Sequence, residues 1–599
     1  MQESHSEGAA NHTGPELCVA GREAGDEALV GERAGRVLSP ESNCIWGADA
    51  VGISGKPHPA HRQRKTGRGP TGSETSRMHR NTSHANREIP GFPARPPGRR
   101  RGAAGSPRTT PLMHEPGKSD SPVVPKKVPN KARRRAAEGL EERGLAKRNL
   151  SQATTLRTQG RARVHEALGR VRQAAEQKKG ARFTALLHHI YAVDTLRAAF
   201  YSMKRDAAPG VDGQTWEHYG EEVEAHLADL SDRLRRGAYR PLPVRRVYIP
   251  KRDGQQRPIG VAAIEDKIVQ RATVSVLNAI CEPEFAGFSY GARPGRSAHQ
   301  ALAALDQALQ KKPVNWVLDA DLRDFFGSLD QSQLVRFVEH RIGDRRVVRL
   351  IGQWLAAGVL EDGAWTPSET GTPQGGSISP LAANLYMHYV FDLWAQRWRR
   401  TQAQGGTAIV RFLDDFIVGF QNRVDADRFL NALRERLGQF GLTLHPDKTR
   451  LLEFGRYAAE RRQRRGQGKP ETFQFLGFTH ICGRTRTGEF AVHRHTAGQR
   501  LRAKLNEIKI ELRHRWHDPI PEVGLWLGSV VRGHCQYYGI PGNFRAIGRF
   551  RNEVNRLWRR GLSRRSQRGK VNWERMQPLI TRWIPRVQIV QPYPSELSS

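Results

Sequence analysis

The chain is 599 residues long and carries 97 Lys and Arg against 60 Asp and Glu, a formal charge of +37. That excess excludes an ordinary enzyme of small metabolites and implies a polyanionic partner, nucleic acid above all. Five cysteines (Cys18, Cys44, Cys281, Cys482, Cys535) without one C-x-x-C pair exclude a disulfide framework and a structural zinc site. No apolar run reaches the ~18 residues that cross a bilayer, and the N-terminus lacks a signal-peptide core. A cytoplasmic protein with no membrane partner is expected.

Residues 1–135 are rich in Gly, Pro, Ser and Arg, as in GFPARPPGRRRGAAGSPRTTP from position 91. Such a stretch cannot bury enough apolar surface to offset chain entropy, so a disordered basic extension is predicted; whether it touches RNA stays open. A basic helical segment follows over 136–180, with apolar residues at three- and four-residue spacing among many Arg and Lys. The stretch AAPGVDG (207–213) is dense in turn formers.

Next, VRRVYIPKRDGQQRPIGVAAIEDKIVQRATVSVLNAI (244–280) predicts a strand, a turn at Asp253 and Gly254, a second strand, and a helix opened by an acidic pair. Lys251 and Arg257 flank that turn. VNWVLDADL (314–322) predicts a short apolar strand ending in acids, and 371–394 a Gly-rich loop feeding an apolar helix. In AIVRFLDDFIVGFQ (408–421) two strand-like runs enclose Asp414 and Asp415 at a turn. A helix is expected over 424–440, short strands near 473–480, and a basic helical region beyond 495. Clusters at 461–469 and 556–570 show that the positive charge is distributed along the chain, against the alternative of a basic tail on a neutral globule.

Adjacent half-buried carboxylates repel each other and call for a counter-charge. Were the strand of Asp321 to lie beside the hairpin of Asp414 and Asp415, three carboxylates would meet at a sheet edge. Such a set suits two Mg²⁺ ions about 3.5 to 4 Å apart in phosphoryl displacement. Alone, an Asp-Asp pair also reads as an ordinary solvated turn.

The ordered series AAPGVDG, YIPKRDGQQRPIG, FSYGARPGRSAHQAL, LDADLRDFFGSLD, GTPQGGSISPLAANLY, RFLDDF, HPDKTRLLEFG and FQFLGF resembles the motifs of group II intron reverse transcriptases, over about 180–480. A maturase-like segment continues to about 585. The resemblance implies an α+β right-hand polymerase with a disordered basic N-terminal extension: fingers over 181–313, a palm with a mixed β-sheet over 314–485, a helical thumb and maturase domain over 495–585, and a tail over 586–599.

It further implies that Asp321, Asp414 and Asp415 bind two Mg²⁺ and that Lys448 protonates the leaving pyrophosphate. Lys251, Arg257, Phe326 and Gln374 would bind the dNTP, with Phe326 as the gate against a 2′-hydroxyl, and Leu476 with Gly477 would grip the primer. Arg551, Arg556, Arg559, Arg560, Tyr537 and Tyr538 would contact RNA; Trp526 and Trp558 read first as core. Read singly, Phe326 is a core residue, Lys251, Arg257 and Lys448 are surface charges, Gln374 is a turn residue, and Leu476 with Gly477 is plain strand. Expected partners are intron RNA and a DNA primer or target, in a cytoplasmic ribonucleoprotein, with homodimerisation left open.

Two departures stand out. The box reads FLDD where the family usually has YADD. LRDFFGS stands where the family typically shows a pattern like IKGFFDA, so Asp324 and Gly327 are exchanged. With no paired cysteines after the maturase-like segment, second-strand DNA cleavage is not expected. An RNA-binding splicing cofactor with a degenerate polymerase site is the alternative, and a domesticated reverse transcriptase of phage defence or diversity generation is disfavoured by the maturase-like segment.

Overall fold

The computed structural model describes residues 138–250, 256–372, 375–565, 569–594 and 596. The extension expected over 1–135 lies outside them, as do Lys251 and Gln374. From residue 150 on, the chain belongs to one compact unit; of the other unit, 46–149, only the helical residues 138–149 are described.

The strands, in chain order, are β1 (Val244–Pro250), β2 (Gln256–Val261), β3 (Trp316–Ala320), β4 (Val359–Glu361), β5 (Ala364–Thr366), β6 (Thr407–Phe412), β7 (Asp415–Phe420), β8 (Arg450–Glu453), β9 (Phe473–Phe475), β10 (Phe478–Arg484) and β11 (Phe490–Thr496). They form three sheets, of order β2-β1-β4-β5, β6-β7-β3-β8 and β11-β10-β9. The mixed sheet expected beneath the aspartates is corrected: β6, β7, β3 and β8 pair antiparallel throughout. The reason is that β7, the returning arm of the hairpin, lies next to β3, and β8 closes the other side in the same direction as β7. A parallel pair occurs instead in the first sheet, between β1 and β4.

Side chains alternate across a strand, and the central sheet is buried on both faces. One face sets Leu318, Ala320, Phe416, Val418 and Phe420 in the main core. That core also takes residues from the helices Ile264–Cys281, Ser379–Met387 and Arg423–Gly438. The other face sets Val317, Val410, Ile417 and Leu452 against Leu302, Leu305 and Leu309 and against the third sheet's Phe473, Phe475 and Phe478. The helix carrying those leucines, Ala298–Lys311, starts at a Ser297/Gln300 capping box, which satisfies two otherwise unpaired N–H groups.

The helices Gly498–His514, Ile520–Tyr538, Phe544–Ser563 and Trp573–Trp583 bury a separate core. Its members Val523, Leu527 and Val531 on one helix and Phe550, Val554 and Trp558 on another recur every four residues, the spacing of one helical face. Trp558 is core, as expected, and Trp526 packs at its margin. No helix among the described residues is long and apolar enough to cross a membrane.

Just after β8 the chain turns at Gly455 with φ +145°, and a Cβ there would collide with the backbone carbonyl of Val314, which leads into β3. Gly455→Ala therefore has to displace backbone and is expected to cost roughly 3 kcal/mol, read as a lowered urea midpoint; an unchanged midpoint would contradict this packing.

Candidate active site

Five cross-strand pairs, from Trp316↔Phe420 to Ala320↔Phe416, set the register of β3 against β7. Carried one step further, the same register puts Asp321 opposite Asp415. Asp319, Asp321 and Asp415 thus share the face of Val317 and Ile417, at the end where the apolar residues stop. Asp414 belongs to the two-residue turn between β6 and β7, whose flanking residues Phe412 and Asp415 pair directly. The first turn residue, Leu413, has φ +59°, a conformation such hairpins ordinarily give to glycine. Its side chain is buried over Gly291, where a Cβ would come within 2.6 Å of the Leu413 nitrogen. The bulk of Leu413 is thus accommodated by the missing side chain at 291.

Charge accumulates at this edge. Burial raises the Asp415 carboxyl well above its usual range, and Asp319, Asp414 and Asp321 push in the same direction. Burial also raises Asp414; Asp321 adds to the shift, while Arg257 and Arg411 oppose it. Asp319 is pushed up to about 6 by burial, against a 3.3 Å bond from its cross-strand partner Arg450. Lys448 donates to Asp321 Oδ2 at 2.9 Å. The loop bearing that lysine is tied to the same residue through the His445 N–H, which donates to the Asp321 carbonyl at 2.8 Å.

As placed, no three His, Cys, Asp or Glu side chains among the described residues stand together as a metal cluster. The donor set nonetheless fits a hard divalent cation: carboxylate oxygens with mutually unfavourable charge, one of them held by a lysine that a cation would have to displace.

Arg257, on β2, stands near enough to Asp414 to bear on its ionisation. Phe326 is half-buried and lies edge-on to Phe325 at 5.3 Å. Its carbonyl accepts from the Thr372 N–H at 2.8 Å, which ties it to the loop leading to Gln374. Gly375 follows with φ +112°, and a Cβ there would lie 2.8 Å from the Gly260 carbonyl on β2.

The exchanged pair has a local explanation. Asp324 takes φ +42°, the conformation that accounts for glycine in the usual pattern and that Asp tolerates better than most residues. Its carboxylate then occupies the space a Cβ at position 327 would need. Glycine at 327 leaves the Asp324 carboxylate free to rest there.

Leu476 and Gly477 form the turn between β9 and β10, with φ +48° and +82°. The Tyr537 hydroxyl donates to the Leu476 carbonyl at 2.9 Å, and Tyr538 packs against Phe478. Both tyrosines are half-buried beneath this turn rather than on an open surface. Of the four arginines, Arg551 donates to the Pro585 carbonyl at 2.8 Å, and Arg559 stacks on Trp573. Arg556 and Arg560 are exposed, the former pairing with Glu553. Sequence reasoning missed Asp319 and Arg500, the latter from the helix Gly498–His514 and bearing on Asp415. For Asp319 a signal was present, since it stands two residues before Asp321 and shares its face.

A family model described as reverse transcriptase (RNA-dependent DNA polymerase) matches residues 249–480. Protein YkfC of Escherichia coli strain K12 is 33% identical over 323 residues, 49% of this chain and 80% of that protein. The group II intron-encoded protein LtrA of Lactococcus lactis subsp. cremoris is 32% identical over 225 residues, 37% of each chain. An uncharacterised 91 kDa protein in a cob intron of Schizosaccharomyces pombe is 38% identical over 146 residues, 24% of this chain and 18% of that protein. The chain thus spans four fifths of the first relative but well under half of the other two.

Two outcomes are expected. Because the Asp319 carboxyl is raised above its ordinary 3.8 in the fold, folding favours its protonated form. Its penalty is absent below pH 4, grows as pH rises from about 4 to about 6, and is complete by pH 7. Asp319→Asn is therefore expected to stabilise the metal-free protein at pH 7 by on the order of 2 kcal/mol and to flatten its urea midpoint between about pH 4 and 6; an unaltered pH profile would refute this. Second, Gly327→Asp should destabilise when Asp324 is present and be relieved by Asp324→Gly, with a coupling of roughly 1 kcal/mol in a double-mutant cycle. Strict additivity would show that the two positions do not interact.

Proposed function

This chain belongs to the group II intron-encoded reverse transcriptases, and from that premise we propose that it polymerises DNA on an RNA template and, as a maturase, binds intron RNA to promote splicing and mobility. The observation that supports the polymerase half is the register of β3 against β7, which, carried one residue past the Ala320–Phe416 pair, sets Asp321 opposite Asp415, the chain neighbour of Asp414. In this reading the central sheet is the palm, β1 and β2 belong to the fingers, and the helices from 498 on form the thumb and maturase region.

Two Mg²⁺ ions held by Asp321, Asp414 and Asp415 would activate the primer 3′-hydroxyl and stabilise the leaving oxygen. The new bond joins the primer O3′ to the α-phosphorus of the dNTP; the bond to the β-phosphate oxygen breaks, and pyrophosphate departs. Arg257, with Lys251, holds the triphosphate through charge-assisted hydrogen bonds. Phe326 would serve as the gate against a 2′-hydroxyl, and Gln374 is assigned to the sugar by the family motif alone. Lys448, which pairs with Asp321 in this structure, would hand a proton to the leaving pyrophosphate. The Leu476–Gly477 turn, braced by Tyr537, supports the primer strand.

Exposed Arg556 and Arg560 are the better placed of the four arginines for RNA phosphates. The working form is a cytoplasmic ribonucleoprotein with intron RNA, which meets a DNA primer or target. A second reading, an RNA-binding splicing cofactor whose polymerase site has decayed, is favoured by one observation: Asp321 is already neutralised by Lys448 at 2.9 Å.

Primer extension on an RNA template separates the two readings. The wild type should extend with dNTPs and Mg²⁺, and Asp414→Ala with Asp415→Ala should lose at least about 10³-fold while still binding intron RNA. A folded, RNA-binding wild type that extends nothing would leave only the splicing role. Removing residues after 495 should abolish RNA-promoted splicing, and unchanged splicing would remove the maturase role.

A further inference from the structure

Arg411 and Asp392 are both fully buried, joined by Nε to Oδ1 at 2.7 Å and Nη2 to Oδ2 at 2.5 Å. Apolar residues of similar volume often stabilise such a position as well or better, because both ions must be desolvated. A buried guanidinium is better explained by direction than by stability. Its Nη1 donates to the Asn384 Oδ1 at 3.2 Å and to the Leu413 carbonyl at 2.9 Å.

That carbonyl belongs to the peptide unit joining Leu413 to Asp414, and a peptide unit moves as a plane. Holding its oxygen therefore orients the backbone from which Asp414 projects. The other side of the turn is held as well: Asn384 Nδ2 donates to the Gly291 carbonyl at 2.7 Å, and Gly291 lies against the Leu413 nitrogen. Arg411 itself is fixed on the outer edge of β6. Its N–H donates to the Phe288 carbonyl, and its carbonyl accepts from the Tyr290 N–H, each at 2.9 Å.

The helix supplying both polar partners is built for this task. Asn384 and Asp392 are eight positions apart, which in a regular α-helix leaves them about 80° apart around the axis. A π-helical turn over His388–Asp392 inserts one residue and brings them to within roughly 20° of one another. Both therefore reach the same guanidinium.

We propose that Arg411, Asp392 and Asn384 are positioning residues that hold the strained Leu413–Asp414 peptide so that Asp414 and Asp415 are aimed to receive a divalent cation. This rests on the polymerase reading only for its kinetic consequence; cation binding tests it separately.

The experiment uses the full chain and three variants: Asn384→Ala, Arg411→Lys, and the paired Arg411→Met with Asp392→Leu, in which apolar side chains replace the buried ions. Each is followed by thermal unfolding, by Mn²⁺ titration read by electron paramagnetic resonance without nucleic acid, and by primer extension. The paired variant should melt at or above the wild-type temperature yet bind Mn²⁺ about tenfold more weakly. Its kcat should fall at least about tenfold, with KM for dNTP within about twofold. Arg411→Lys should not restore Mn²⁺ affinity, because an ammonium cannot span three partners in one plane.

A well-folded paired variant with wild-type Mn²⁺ affinity overturns the proposal, as does wild-type affinity in Arg411→Lys or a wild type that binds no Mn²⁺. Should the wild type bind Mn²⁺ but extend no primer, the polymerase reading fails, and the Mn²⁺ comparison alone decides the role of the three residues.

Discussion

The site depends on one register, that of β3 against β7. Side chains in a strand alternate with a period of two, so a slip of one residue would carry β7's whole set to the opposite face. Asp415 would then enter the main core, where Phe416 and Val418 now lie, and Phe416 would face the charged edge. The register is held by burial on both faces: Leu318 and Phe416 on one side, Val317 and Ile417 on the other. Packing thus specifies where the acids stand, although no acid takes part in that packing.

The concentration of negative charge is unfavourable for folding and useful for chemistry. Burial and mutual repulsion raise Asp414 and Asp415, and the surrounding cations are shared out: Arg450 to Asp319, Lys448 to Asp321, Arg257 near Asp414, and Arg500 near Asp415. These come from β8, the loop before it, the first sheet and the C-terminal helices. The edge is therefore where three parts of the fold meet electrostatically, and a cation binding there would alter the charge that all of them feel.

The departures from the usual motifs are accommodated locally. Leu413 fits where a small residue is usual because Gly291 carries no side chain beneath it. Asp324 adopts the positive φ, and its carboxylate rests in the space that Gly327 leaves open. Each is a pair of positions whose residues make sense together, so neither departure by itself points to decay of the site.

By itself the sequence determined the hairpin with its acids at the turn, the apolar strand ending at Asp321, the amphipathic helices and the order of the motifs. These depend on periodicity and turn chemistry within a short window, which neighbouring residues settle among themselves. Even the helix expected over 424–440 is found, as Arg423–Gly438. Only the tertiary structure decided that the central sheet is antiparallel, that Tyr537 braces the Leu476 turn, and that Arg411 is buried against Asp392 and Asn384. Each of these is a contact between segments far apart in the chain. It is chosen by which faces can be buried together and which buried charges can find partners, a choice no local pattern encodes.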